Sequence, residues 1–248
     1  GCPARVYIPL EEVSRLESLP GEGPEWCAVL PRVWRDRDEP ALRTLLERAR
    51  ALGFTGVLIG NLGHLPLVRG LNFHLYGDYG LNVFNSRSLA YLKDKELESA
   101  CVSFELRFAQ IRDLKKVLRA EAIVYGRLPL MITENCLVQN ETGCRLDRQG
   151  PCVPEDGPCR CGQPNVLVDR TGAAFPLLPA YGHRTEIQNS KPLYLADRPE
   201  HRRLGLAYAR LRFTTETAEE CVSVVQNYLD AAPAAGDFTR GLYERGVE

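Results

Sequence analysis

Five cysteines fall within 26 residues, at Cys136, Cys144, Cys152, Cys159 and Cys161, in the stretch CLVQNETGCRLDRQGPCVPEDGPCRC. The chain has nine cysteines, so more than half occupy one window with almost no aliphatic residues. Such a segment cannot order itself by burying apolar surface, and clustered thiolates point to a metal. The spacings are C-x7-C, C-x7-C, C-x6-C and C-x-C. They match neither the C-x2-C pairs of a zinc ribbon nor the tight C-x2-C-x2-C run of a bacterial ferredoxin, so the count carries the argument. Zinc and an iron–sulfur cluster both accept four thiolates in near-tetrahedral arrangements. His183 offers an imidazole that would replace one thiolate; beside Arg184 it also reads as a solvated histidine. A disulfide framework is the competing reading of the cluster. Cys136 paired with a histidine would make a thiol nucleophile, but a cysteine among four others reads first as a ligand.

The elements that position this window follow from the apolar pattern. Short β-rich runs alternate with helical ones. Strands are expected at Arg5–Ile8, Trp26–Val33, Gly56–Gly60, Phe73–Tyr76, Ala100–Phe104 and Ala122–Gly126. Gly56–Gly60 is continuously apolar, as in a parallel sheet buried on both faces. Helices are expected from Leu10 to about Leu19, over Glu39–Leu52, Ser86–Leu92 and Phe108–Leu118, and from Thr215 to about Leu229. Leu42, Leu45, Leu46, Ala49 and Leu52 recur at helical spacing, and Gly53 stops that helix. After the cysteine window, Val166–Asp169 and Ala173–Leu178 flank Arg170-Thr171-Gly172 as a hairpin. Lys191–Leu195 and Leu206–Phe213 are the last two strand-like runs. Repeated βα units imply a parallel sheet. Eight β runs outside the hairpin imply an α/β protein of (β/α)8, TIM-like type, one domain over residues 1–248 with the cysteine-rich loop and hairpin inserted after strand six, about 133–182. An open doubly wound sheet is the rival.

In a parallel barrel, function collects at the C-terminal ends of the strands. Arg32, Asn61, Asp78, Tyr79, Glu105, Arg127, Glu134 and Asn135 follow those ends, and Arg212 lies late in the eighth run. Arg32, Asn61, Asp78, Tyr79, Glu105, Arg127 and Arg212 are the candidate substrate contacts of a polar, anion-competent mouth; rim salt bridges are the plainer reading. His64 is isolated, and His74 between Phe73 and Leu75 reads as a core histidine. No zincin helix, nucleophile elbow or P-loop sequence is present.

The formal net charge is −1, so no overall basic field advertises a nucleic acid. No apolar run approaches the roughly 18 residues of a membrane span, and no signal peptide is visible. Cys27 and Cys101 in apolar runs and Cys221 in a helical one suggest buried free thiols and a reducing, cytoplasmic setting. A start at Gly1 suggests a piece of a longer protein.

At GDYGLNVFNS, YGRLPLMITENC, LVDRTGAAFPL, EIQNSKPLYL and FTRGLYERG the chain resembles peptidase family U32, the collagenase-like proteases, and most of all the second, C-terminal barrel of its long members. The resemblance covers nearly the whole chain. It implies one of two activities: peptide hydrolysis, as the family name says, or the oxygen-independent hydroxylation of RNA nucleobases or a quinone precursor. Relatives of the second kind hold a cysteine-bound [4Fe-4S] cluster, some using prephenate as oxygen donor. By the same resemblance Cys136 is the first ligand, with Cys144, Cys159 and Cys161 completing the set. Relatives often place a further cysteine after the hairpin; His183 stands in that region here, which keeps Zn2+ in contention. The implied partners are the first U32 barrel of the same longer chain, which would hold the primary active site, and RNA or an anionic small molecule. A non-catalytic module pinned by structural zinc is the third expectation.

Overall fold

The computed structural model describes residues 2–21, 23–142 and 163–247. They form two compact units: Gly1–Ala122 with Arg202–Ala209 and Leu242–Glu248, and Ile123–His201 with Arg210–Gly241.

The first unit is built on parallel strands in sequence order: β1 (Arg5–Pro9), β2 (Glu25–Val29), β3 (Gly56–Ile59), β4 (His74–Gly77), β5 (Ser99–Cys101) and the start of β6 (Arg119–Gly126). The register runs Tyr7↔Cys27, Cys27↔Gly56, Gly56↔His74, Tyr76↔Ser99 and Ser99↔Arg119. Parallel neighbours need crossover connections. From β2 onward these are α1 (Glu39–Leu52), α2 (His64–Val68), α3 (Ser86–Asp94) and α4 (Phe108–Asp113). The α1 helix matches its expected span. Leu42, Leu46 and Ala49 are buried on one face, and Gly53 ends the helix at φ 98°. All four residues of β3 are buried, as its continuous apolar run requires.

Two helices are shorter than expected. The chain after β1 makes a 3-10 helix, Leu10–Arg15, whose three-residue period stacks Leu10 over Val13, both fully buried. The α4 helix stops at Asp113 because Leu114 turns extended, and Lys116 Nζ then donates to the carbonyls of Ile111 (2.6 Å), Arg112 and Leu114 (3.3 Å each).

The second unit contains β7 (Pro129–Thr133), α5 (Leu137–Thr142), β8 (Asn165–Val168), β9 (Ala174–Ala180), β10 (Arg184–Gln188), β11 (Leu193–Tyr194) and α6 (Ala218–Asp230). Strands β7-β10-β9-β8 form an antiparallel sheet in that order. The expected hairpin is its β8–β9 edge. Asp169 Oδ1 accepts from Thr171 N (2.8 Å) and Ala173 N (3.0 Å), and Gly172 supplies φ 85°. The end of β6 pairs antiparallel with β11 through Leu193↔Gly126 and Tyr194↔Tyr125. A further strand, β12 (Tyr208–Leu211), also pairs with β6. The fold is therefore α/β with six successive parallel strands. The regular eightfold repeat expected from counting breaks at β11, which is two residues long and antiparallel. Among the described residues no helix is long and apolar enough to cross a membrane.

Candidate functional site

Within the first unit, the ends of β2, β3 and β4 bring three of the expected site residues together. Arg32 Nη1 donates to the Tyr79 hydroxyl at 3.3 Å, and its guanidinium lies 5.3 Å from the Tyr79 ring centre. Tyr79 in turn packs on Phe104 after β5, with ring centres 5.7 Å apart. Asp78 is buried, and Gly60 at the end of β3 makes the convergence feasible. A Cβ there would sit 3.2 Å from Arg32 Cγ and 3.8 Å from Asp78 Cβ. Gly80 is equally constrained, since its Cβ would come within 2.6 Å of the Gly60 carbonyl oxygen. Asn61 serves its own turn, with Oδ1 accepting from Gly63 N at 2.8 Å. Glu105 follows a bend in which its N–H donates to Ser103 Oγ at 3.4 Å.

Sequence reasoning passed over His64. It opens α2 just after β3 and is fully buried. Its Nε2 lies 3.1 Å from the Pro31 carbonyl oxygen, so this nitrogen carries the proton, and its ring centre is 6.0 Å from that of Trp34. Nδ1 is buried with no hydrogen-bond partner among the described residues. Burial pushes the pKa down to about 4, against the smaller upward pull of the Pro31 carbonyl and the Asp78 carboxylate. The imidazole is thus neutral at pH 7, bears an unused lone pair on Nδ1, and feels the charge of Asp78. The signal in the sequence was positional: a histidine four residues past the end of a buried parallel strand. His74 corrects the expectation of a core histidine. Its side chain is 54% exposed and pairs through Nδ1 with Glu98. It is the first residue of β4, where the strand leaves solvent.

In the second unit both candidate arginines are held by protein acceptors. Arg212 Nη1 donates to the Arg127 carbonyl (2.7 Å) and to Gln188 Oε1 (2.6 Å), and Nη2 lies 3.5 Å from Glu186 Oε2. Arg127 Nη1 donates to the carbonyls of Asn189 (3.0 Å) and Ser190. The close approach needs Gly126, at φ 113°, because a Cβ there would lie 1.9 Å from the Arg212 carbonyl oxygen.

Cys136 follows β7 at the start of α5. Its thiol is buried against Val138, Leu177 and Ile187, with Leu137 and Phe175 alongside. Gln139 N–H donates to Sγ at 3.4 Å, and Leu137 N–H donates to Thr185 Oγ1 at 3.1 Å. The register Thr185↔Thr133 sets Arg184 against Glu134, whose carboxylate accepts from Nη2 at 2.9 Å. One step further along the same pair of chains come His183, at φ 59°, and Asn135. Cys136 and His183 therefore belong to the same end of the β7–β10 pair. Cys136 Sγ thus accepts from the first turn of α5, in the manner of a helix-capping side chain. Cys144, Cys152, Cys159 and Cys161 lie outside the described residues. Among the described residues no group of three or more His, Cys, Asp or Glu side chains is arranged to hold a metal ion.

The first unit is thus a parallel α/β sheet with polar strand ends, and the second holds a small antiparallel sheet with a buried cysteine. The family model described as peptidase family U32 matches residues 19–165, more than half of the chain, and the chain belongs to that family. The matched stretch runs from just before β2 to the first residue of β8 and includes the whole cysteine window. No curated protein and no solved structure matches the chain.

Proposed function

We propose that this U32 chain carries a cysteine-bound metal centre and contributes to oxygen-independent hydroxylation, or a related modification, of RNA or an anionic small molecule. The observation that carries the reading is Cys136. It is a buried free thiol with a backbone N–H on its sulfur, and it opens a run of five cysteines. The proposed ligands are Cys136, Cys144, Cys159 and Cys161, with Cys152 and His183 as alternates. A [4Fe-4S] cluster would supply electron transfer, whereas Zn2+ would supply a structural cross-link. The chain's own contribution is to hold Cys136 in an apolar nest and to seat an anionic group near Arg32 and Tyr79, with neutral His64 behind them. In this reading the strands complete a (β/α)8 barrel, with the metal-binding loop after the sixth strand. The first U32 barrel of a longer chain is the proposed partner, and the cytoplasm the proposed setting.

Peptide hydrolysis is the second reading, and the family assignment favours it. A non-catalytic module pinned by zinc is the third.

Metal and sulfide analysis of protein purified without oxygen separates the three. Iron and sulfide with absorbance near roughly 400 nm support the cluster, because thiolate-bound iron is coloured and zinc is not. Colourless protein with one equivalent of zinc supports the structural module. Metal-free protein that cleaves peptides supports the protease and ends the metal reading. Cys136→Ala is expected to lose the metal while far-ultraviolet circular dichroism stays at the native level, since the α/β sheet has an apolar core of its own.

A further inference from the structure

Within the first unit, between α3 and the turns that follow β3 and β4, lies a cleft of about 400 Å³. That is within the size range of small-molecule sites. Leu62, Leu81 and Leu92 give it apolar walls, and Tyr91 gives it an aromatic one. Leu62 is 44% exposed and Tyr91 48% exposed, so both leave apolar surface open to water at the opening. The cleft sits at the C-terminal ends of the strands, the end that binds ligands in parallel α/β sheets.

Its polar groups are Asn85, Arg87 and Ser88, and no acidic residue lines it. Asn85 Oδ1 accepts from Arg87 N (3.0 Å), Ser88 N (2.9 Å) and Ser88 Oγ (3.3 Å). The Arg87 and Ser88 amides are therefore already satisfied and are not the receptor. What Asn85 has left is the donor half of its amide. The Arg87 guanidinium has no acidic partner among the described residues. Lys95 Nζ, 5.3 Å from the Tyr91 ring centre, adds a second positive charge nearby. Apolar walls, a positive charge without an acidic partner among the described residues, spare amide donors and no competing acid together select a ligand with an apolar body and one negative, acceptor-rich end.

We propose that this cleft binds a carboxylate carried on an aromatic or branched apolar body. Arg87 holds the carboxylate, Asn85 donates to it, and Tyr91, Leu62 and Leu81 pack the body. A free organic acid and the C-terminal residue of a peptide share this chemistry. The proposal does not depend on the metal centre.

Calorimetric titration of the whole chain at constant ionic strength tests it. The probes are 3-phenylpropionate, 3-phenylpropionamide, N-acetyl-alanyl-phenylalanine and the C-terminal amide of that dipeptide. At least one acid is expected to bind with Kd on the order of 1 mM. Its amide should bind at least about tenfold more weakly, as loss of a charge-assisted contact implies. Arg87→Gln should bring acid and amide to the same affinity. Tyr91→Ala should weaken both together. Both variants should keep the parent's melting temperature, since these side chains are exposed. Tighter binding of the dipeptide acid assigns a peptide C-terminus, and tighter binding of phenylpropionate assigns a free acid. Equal binding of acid and amide by the parent overturns the proposal. So does an acid preference that survives Arg87→Gln, or failure of both acids to saturate the protein.

Discussion

A histidine that stays neutral inside the protein makes folding pH-dependent. The pKa of His64 is about 4 in the folded chain, against the ordinary 6.5. Between those values the unfolded chain takes up a proton that the native imidazole refuses. Stability from this residue is therefore complete above about pH 6.5 and falls as the pH drops toward 4, by about 3 kcal/mol in all. Urea unfolding at pH 7.5 and pH 5 should show the loss in the parent chain and a smaller one in His64→Gln. Equal losses would reject the assignment. Arg5 is the other residue with a large stake. Its guanidinium lies between the rings of Tyr76 (3.7 Å) and Tyr208 (4.2 Å) and donates to Glu25 (3.1 Å) and Ser99 (2.9 Å). Arg5→Met leaves the half-buried Glu25 carboxylate with the Tyr76 hydroxyl but without its cation, and is expected to cost about 3 kcal/mol, part of it recovered in Arg5→Met/Glu25→Gln. These two residues show what a sequence displays and what it hides. Cys136 drew attention because cysteines rarely cluster without cause, and that reading rests on composition alone. The role of His64 depends on a carbonyl 33 positions away and on burial, neither of which leaves a local pattern.

Elements were most legible where one periodicity ruled. The α1 helix was readable to its last residue because its buried leucines and its closing glycine agree. Helix α6 was found with its start misplaced. The sequence suggested a start at Thr215, whereas the cap is Thr217, whose Oγ1 accepts from Glu220 N at 3.3 Å while Glu220 Oε2 accepts from Thr217 N at 2.7 Å. Three threonines in four positions made the choice ambiguous; Glu216 settles it by turning back to accept from Thr214 N (2.6 Å) and Thr215 N (3.0 Å). Thr217→Ala should cost about 1 kcal/mol in denaturant unfolding, whereas Thr215→Ala should cost a few tenths. Strands β7 and β10 escaped notice. The first opens with a proline. The second reads RTEIQ, and its polar residues are buried only because partners such as Glu134 and Arg212 meet them. Burial of that kind is a tertiary fact. The break at β11 has a similar origin, because Tyr194 joins Tyr125, Tyr228 and Phe238 in an aromatic cluster that alternation does not reveal.

At the scale of the molecule, the chain's order and its units do not coincide. The first unit takes residues up to Ala122, then borrows Arg202–Ala209 and Leu242–Glu248. The last loan matters. Tyr243 is 1% exposed, stacks on Phe108 with ring centres 5.4 Å apart, and its carbonyl accepts from Phe108 N at 2.8 Å. Tyr243→Ala is expected to cost about 3 kcal/mol. Hydrogen exchange should locate the loss at α4, the helix that Phe108 begins. Unchanged protection there would show that the stack is dispensable.

That borrowed segment also sets a timetable for synthesis. When the ribosome has delivered β1 to α4, Phe108 still lacks its tyrosine, and more than a hundred further residues must emerge before it arrives. The half made first is thus among the last to be finished, and the nascent chain carries an open apolar seat through most of its translation.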